Sequence, residues 1–260
     1  MYQKQKAIPL FAPHRILLLI VTIAIIIAMA VNLRWDWIAN YSDKIWLGLW
    51  RTTWLLALSV LFGFLLAMPI GLVQVTGPKP LAILAGSFCT IIRGTPLLLQ
   101  LWLIYYGLGS IFPTIPSIRQ SELWPYLRQA WPYALLTLSL SFAAYEAEVL
   151  RGAFASVPKG ELEAARAIGM SRWQTFRRIW LPRAFYRALP TLGGEVILQL
   201  KATPLVATIT MIDIFAVFSK VRQDTFITYE PLLLLALIYM VMATLIGIAF
   251  KYIERRRPVL

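Results

Sequence analysis

The chain has 260 residues, of which 59% are hydrophobic and 14% charged, against roughly 25% charged in an ordinary soluble domain; this excludes a soluble globular protein and points to a multi-spanning membrane protein. A single cysteine, Cys89, excludes an intramolecular disulfide, and with His14 as the sole histidine no zinc site is expected. The net charge of +13 encodes orientation in so apolar a chain, rather than nucleic-acid binding, for which no motif is present.

Spans of about 20 mostly apolar residues must be helical, because lipid offers the backbone no hydrogen bonds. Six are predicted, at about 15–33, 50–75, 81–109, 131–155, 186–213 and 230–252. Before the first stand Lys4, Lys6 and Arg15, and its apolar run passes through Ala28-Met29-Ala30. That pattern reads either as an uncleaved anchor helix or as a signal peptide with an A-x-A cleavage site. The anchor is favoured, because the run extends to Leu33. Trp35, Trp37, Trp46, Trp50 and Trp54 follow. They read equally well as an interfacial aromatic belt or as packing aromatics. With the N-terminus inside, sixteen Lys and Arg fall on inner segments and seven on outer ones, Arg93 and Lys201 being left out as intramembrane. Both termini and the polar segment between the fourth and fifth spans are therefore expected in the cytoplasm.

That polar segment, Gly160 to Phe185, reads as two short helices. The first covers about 159–168: Pro158 suits its start, Glu161 and Glu163 sit in the first turns, and Gly169 ends it in the left-handed conformation. The second begins at Ser171, which has capping-box spacing with Gln174, and Pro182 sets its end at Leu181. Leu162, Ala165 and Ile168 form one apolar stripe, and Trp173, Phe176 and Ile179/Trp180 another. Helices this short need a cover. The cover is either the membrane or the chain's own bundle, or else the groove of a soluble partner.

Ionisable residues inside apolar spans mark function or pairing. Arg93, Glu148, Glu195, Lys201 and Asp213 qualify. Pro204 in Lys201-Ala202-Thr203-Pro204 is expected to break its span, and Gly94-Thr95-Pro96 is a second interruption. Broken helices are where transporters place substrate sites. Glu195, Lys201 and Thr203 either border a translocation path or form a structural salt bridge, with Lys201 pairing to Glu195 or Asp213. Arg93 and Arg151 read as boundary residues that snorkel, and Glu148 with Arg151 as an i,i+3 pair.

The residues Glu163-Ala164-Ala165, Gly169 and Ile179-x-Leu181-Pro182 match the EAA-x3-G-x9-I-x-L-P loop at all seven of its defined positions. In this the chain resembles the transmembrane subunits of ABC importers. Arg93-Gly94-Thr95-Pro96-Leu97 with Gln100, Ala144-Tyr145-x-x-Glu148-x-x-Arg151-Gly152-Ala153, Val157-Pro158-x-Gly160, and Glu195-Val196-Ile197 with Lys201-x-Thr203 resemble the polar amino-acid branch, which serves histidine, arginine/ornithine, glutamine and opines. The resemblance covers about residues 40–253. It implies an all-α membrane protein of about six transmembrane helices, a five-helix importer-permease core plus an N-terminal helix. The division is an anchor and link at 1–40, a transmembrane domain at 41–253 with the coupling loop at 157–182, and a tail at 254–260.

The implied function is the permease subunit of an ATP-driven amino-acid importer in a bacterial inner membrane. Its partners would be a cytosolic ABC ATPase dimer, a second permease subunit, identical or homologous, and an extracytoplasmic amino-acid-binding protein. The Glu163, Ala164, Ala165 side of the loop would enter a groove on the ATPase, with Gly169 as the turn and Ile179, Leu181 and Pro182 completing the motif, while the Trp173–Phe176 stripe packs on the chain's own bundle. Arg93, Thr95, Glu148, Glu195, Lys201 and Thr203 would line or border the substrate path. No catalytic constellation or phosphate loop G-x-x-x-x-G-K-[ST] exists in the sequence. ATP and its Mg would therefore belong to the partner chain, and this chain would carry no cofactor. The competing class is a secondary amino-acid transporter working without an ATPase, which leaves the loop unexplained and for which no internal repeat is seen.

Overall fold

The structure is a computed structural model, described here over residues 33–255; the expected first span at 15–33 and nearly all of the tail lie outside that range. The described residues form helices and turns without strands. The longest helix, α1 (Trp37–Thr76), has 40 residues and runs roughly 60 Å. It starts well before the expected residue 50, which divides the tryptophans. Trp37 is buried against Phe218 and donates to Arg34 O at 3.0 Å, Trp54 packs edge-on to Trp131, and Trp46 and Trp50 stand exposed. The packing reading holds for Trp37 and Trp54.

One face of α1 is a seam of small residues: Gly48, Thr52, Ser59, Gly63, Ala67 and Gly71 are all buried. Small side chains at this spacing let two helix backbones approach. From Gly63 to Gly71 the partner is α4 (Trp131–Ala155), of whose 25 residues 14 are buried, whereas Gly48 and Thr52 lie against Ile214 and Val217. At Gly63 an added Cβ would meet the Phe142 side chain at 2.8 Å, and at Gly71 it would meet Ala147 O at 2.7 Å.

The expected span at 81–109 is not continuous. It divides into α2 (Lys79–Gly94) and α3 (Leu97–Trp102), and α3 runs on as a π-helical stretch, Leu103–Leu108. Pro96 has no N–H and drives Thr95 into an extended conformation, φ −110°, ψ 142°. The carbonyls this frees are re-satisfied by side chains. Gln100 Nε2 donates to Ile92 O at 2.7 Å and to Thr95 O at 3.0 Å, and Thr95 Oγ1 donates to Ile91 O at 3.0 Å. Gln100→Leu should strand these acceptors, lowering the melting temperature of the purified protein by an amount equivalent to about 1–3 kcal/mol. An unchanged melting temperature would refute this role of the Gln100 amide.

After α4 come α5 (Lys159–Ala167) and the short α6 (Arg172–Thr175). Contrary to expectation, the chain does not stop being helical at Leu181. It passes through a π turn, Phe176–Trp180, directly into α7 (Leu181–Ala202), with Pro182 in the first turn of α7. A widened turn removes the need for the proline's missing donor, and a first-turn proline forfeits no intrahelical bond. The second proline break forms as expected: α7 gives way to a 3-10 helix over Thr203–Ile209, Thr210 adopts φ +67°, and α8 (Ile214–Thr225) leaves at 54°. Last is α9 (Tyr229–Arg255), which buries only Glu230, Pro231 and Leu235 and presents an apolar face outward.

By length and apolarity three described segments can cross a membrane, Trp37–Thr76, Leu97–Thr114 and Tyr229–Arg255, and a fourth if the bent pair around Thr210 is one span. The α4 helix has span length but carries Glu146, Glu148 and Arg151. Its position explains this, since it is covered by protein rather than by its own apolarity. Three core clusters stack along α1. One surrounds Trp37 and Phe218, one Leu55 and Leu138, and one Ala67, Leu150 and Leu189 near the α5–α6 loop.

Candidate functional site

The loop between α4 and α7 has the local design its sequence specifies. The α5 helix ends at Gly169, φ +88°, where Met170 N donates to Ala165 O at 3.1 Å and Gly169 N to Arg166 O at 3.0 Å. This pair of bonds is a Schellman motif, which glycine closes without strain. Ser171 and Gln174 then form both bonds of a capping box: Gln174 N donates to Ser171 Oγ at 3.2 Å, and Ser171 N to Gln174 Oε1 at 2.8 Å. Glu161 reaches Arg183 at 2.8 Å, tying α5 to the start of α7.

Which faces point inward differs from the sequence expectation. Ala165 is 2% exposed and faces the chain's own core, so its methyl is not available to a partner groove. Leu162 also packs inward, whereas Ile168, expected on the same stripe, is 80% exposed. The second stripe also splits. Phe176 stacks on Phe154, and Trp180 packs edge-on to Phe154 and donates to its carbonyl at 3.0 Å. Trp173 is 65% exposed, resting one face on Phe176. Ile179, Leu181 and Pro182 are half-buried. The outward surface of the loop is thus Glu163, Ala164, Ile168 and Trp173, surrounded by the exposed Arg166, Arg172, Arg177 and Arg178. The reason is the Schellman turn. The helix ends at Ala167, so Ile168, one residue further, leaves the phase that Leu162 and Ala165 keep.

The intramembrane candidates do not gather in one place. Thr95 from the α2–α3 break and Glu195 from α7 line one cavity of about 260 Å³, together with Ser141, Tyr145 and Gln199. Gln199 is fixed there by bonds to Ser59 Oγ at 3.2 Å and Leu138 O at 2.9 Å, joining α7 to α1 and α4. Beside the cavity both arginines converge on Glu148. Arg151 donates through Nε at 3.1 Å and through its terminal nitrogen at 2.9 Å, and Arg93 approaches to 3.7 Å across from α2. Arg93 also stacks over the Tyr145 ring, 5.4 Å from its centroid. Arg93 therefore bridges two helices instead of only snorkelling, while the i,i+3 pair of Glu148 with Arg151 forms as read.

Lys201 and Thr203 lie elsewhere. Lys201 borders a separate cavity of about 380 Å³ with Tyr239 and Met240 of α9. Thr203 is fully buried, its hydroxyl 2.9 Å from Leu200 O and 3.2 Å from Tyr239 Oη. No described salt bridge joins Lys201 to Glu195 or Asp213. Asp213 instead caps α8, accepting from Ala216 N at 2.8 Å, while Thr52 Oγ1 accepts from Ile214 N at 3.1 Å.

One buried acid escaped the sequence reading. Glu146 in α4 has no solvent exposure, and neither of its oxygens has a hydrogen-bond partner among the described residues. It stands two residues before Glu148, inside a span, which is the signal that could have found it.

Known proteins resemble this chain in sequence, and solved structures resemble it in fold. Octopine transport system permease protein OccM of Rhizobium radiobacter is 39% identical over 196 residues, 75% of this chain and 78% of that protein. Histidine/lysine/arginine/ornithine transport system permease protein HisM of Escherichia coli K12 is 34% identical over 206 residues, covering 79% and 85%. Among solved structures, an amino acid ABC transporter crystallised with histidines superposes with a TM-score of 0.73 at 31% identity, over 87% of this chain and all of that one. The MetNI methionine ABC transporter in an inward-facing form shares the fold at 18% identity, with a TM-score of 0.67. The family model for the binding-protein-dependent transport system inner membrane component matches residues 59–258. By that match and by these relatives, the chain belongs to the family of inner membrane components of binding-protein-dependent transport systems.

Proposed function

We propose that the chain is the permease subunit of an ATP-driven amino-acid importer, spanning a bacterial inner membrane with both termini in the cytoplasm. The observation that carries this reading is the α5–α6 loop. It is a rigidly capped two-helix unit whose outward face is apolar at Ile168 and Trp173 although its inner face is already packed. Such a surface fits the groove of a soluble partner, and the partner proposed is one copy of a cytosolic ABC ATPase that binds ATP and Mg. A second permease subunit and an extracytoplasmic amino-acid-binding protein would complete the assembly. The coupling contact would be made by Glu163, Ala164, Ile168 and Trp173. Gly169, Ile179, Leu181 and Pro182 would hold the unit to the bundle, as would Ala165.

The motion has a natural route. The π turn Phe176–Trp180 joins the loop continuously to α7, which carries Glu195 and Gln199 at the cavity. A tilt of the loop would reach the cavity through one helix, which is the rigid-body mode of alternating access. Thr95 and Glu195 would border the amino acid, with the Arg93–Glu148–Arg151 cluster at its edge; Lys201 and Thr203 stand apart from this cavity. In a secondary transporter, the exposed Ile168 and Trp173 would have no partner.

Gly169→Val tests the reading. Nothing lies within 4 Å of an added Cβ, so the variant should insert and fold. The β-branched side chain at φ +88° would still be strained by about 1–2 kcal/mol and would re-aim α6 against α5. The expected result is a monodisperse membrane protein that no longer co-purifies with its ATPase. Undiminished co-purification would remove the turn from the coupling mechanism.

A further inference from the structure

We infer that the apolar segment 15–33 is retained as a membrane-spanning helix and docks antiparallel on the outward stripe of α9 in the same chain. The segment lies outside the described residues, so the inference is drawn from where it must join them. It goes beyond the importer reading and does not rest on it.

The end of the segment is fixed. Both backbone groups of Arg34 are held: its N–H donates to Glu230 Oε1 at 3.1 Å, and its carbonyl accepts from Trp37 Nε1 at 3.0 Å. Glu230 is buried in the first turn of α9. Trp35, Trp37 and Ile38 share one core cluster with Leu234, Leu235 and Ile238 of α9. The segment therefore joins the described fold beside the head of α9. Length and charge then set its course. Residues 16–33 carry no charge over 18 positions, and residues 231–250 of α9 carry none over 20. As helices these run about 27 and 30 Å, each close to the thickness of the hydrocarbon core. At the head Arg34 stands beside Glu230, and at the foot Arg15 comes level with Lys251. A helix that ends at residue 33 thus crosses from the foot of α9 to its head. The face it meets has no protein cover among the described residues. The α9 helix packs chiefly on α7 and α8, while Leu233, Leu237, Met240, Val241, Leu245 and Ile248 recur every three or four residues on its exposed side. Lipid covers such a stripe as well as aliphatic side chains do, so apolarity alone does not choose the occupant. The tether does. A segment joined at residue 34 is held at high effective concentration beside this stripe. A signal peptide cleaved after Ala30 would leave the stripe to lipid.

The test is a scan of cysteine pairs in the full-length chain, in native membranes, with Cys89→Ser removing the one native thiol. Val241 stands 11 residues beyond Glu230, level with residue 23 by equal helical rise. Val241→Cys is therefore combined in turn with Val21→Cys, Thr22→Cys, Ile23→Cys, Ala24→Cys and Ile25→Cys, which together exceed one helical turn. After mild oxidation the chain is run without reductant, and the linked peptides are identified by mass spectrometry. Helices in contact bring facing Cβ atoms to about 4 Å, where a disulfide closes, and an intervening lipid layer does not. The expected result is a cross-link at the one or two positions that face α9, in a band of monomer mass. Ile91→Cys, exposed on α2, is the control partner and should lose the cross-link at every position. If Val241→Cys does not accumulate, Met240→Cys on the same stripe decides. Cross-links only at dimer mass would assign the stripe to the segment of a second copy. No cross-link above the control would leave it to lipid, and a mature N-terminus at Val31 would show the segment cleaved away. Each of these three results overturns the inference and leaves the importer reading intact.

Discussion

Replacing Gly71 with valine is expected to unseat α1 from α4 and prevent accumulation of a folded protein. The first added carbon would stand 2.7 Å from the carbonyl oxygen of Ala147 and 3.1 Å from the Leu150 side chain. The nearer atom is backbone inside a regular helix, so it cannot swing away. Overpacking of this kind costs about 1–3 kcal/mol even where neighbours adjust, and here the seam belongs to the most extensive helix–helix contact among the described residues. Gly63→Val should behave similarly, since Ser139 O lies 2.9 Å from its added carbon. Gly247→Ala in α9 is the control, with nothing within 4 Å. There the loss of backbone freedom in the unfolded chain should leave stability unchanged or raise it by up to about 1 kcal/mol. Thermal unfolding of the detergent-purified proteins, read by size-exclusion chromatography, checks all three. A Gly71→Val protein as stable as wild type would show that the seam does not set the helix spacing.

Removing the exposed apolar face of the loop should abolish coupling without disturbing the fold. Ile168 and Trp173 are 80% and 65% exposed, so Ile168→Asp with Trp173→Ala should change stability by no more than about 0.5 kcal/mol. A central aromatic anchor in an interface is typically worth 2 kcal/mol or more, which is about a thirtyfold loss of affinity. The double variant should therefore lose the proposed ATPase on purification and lose substrate-dependent ATP hydrolysis. Trp180→Ala separates packing from docking. Trp180 packs on Phe154 and donates to its carbonyl, so its loss should lower the melting temperature. A double variant that retains its ATPase would move the docking surface to the arginines around the loop.

The local devices of this chain are written in its sequence, whereas the directions in which side chains face are not. Ser171 with Gln174, Gly169, and the breaks at Thr95-Pro96 and near Pro204 depend on neighbours a few residues away, and all formed where their residue types require. Ala165 and Ile168 share a periodic stripe, yet one is buried and the other exposed. The stripe's phase ends at a turn, and a nine-residue helix is too short to reveal it. The continuation through Phe176–Trp180 was hidden because a proline reads as a stop unless the turn before it widens. Glu146 was overlooked because Glu148, two residues on, fits a known motif, while the isolation of Glu146 follows from packing by α1 and α7 that no local pattern records. Likewise, Lys201 and Glu195 stand six residues apart on one helix, but only the positions of α9 and α2 decide that they border different cavities.

This permease should move an amino acid only when a separate ATPase drives its loop. Uptake of radiolabelled arginine into proteoliposomes holding the purified assembly, with its binding protein supplied on one side and ATP on the side of the ATPase, measures this dependence. The expected result is accumulation that requires ATP, disappears with a non-hydrolysable analogue, and is absent from vesicles containing this chain alone. Accumulation by the chain alone, driven by an ion gradient and indifferent to ATP, would contradict the account.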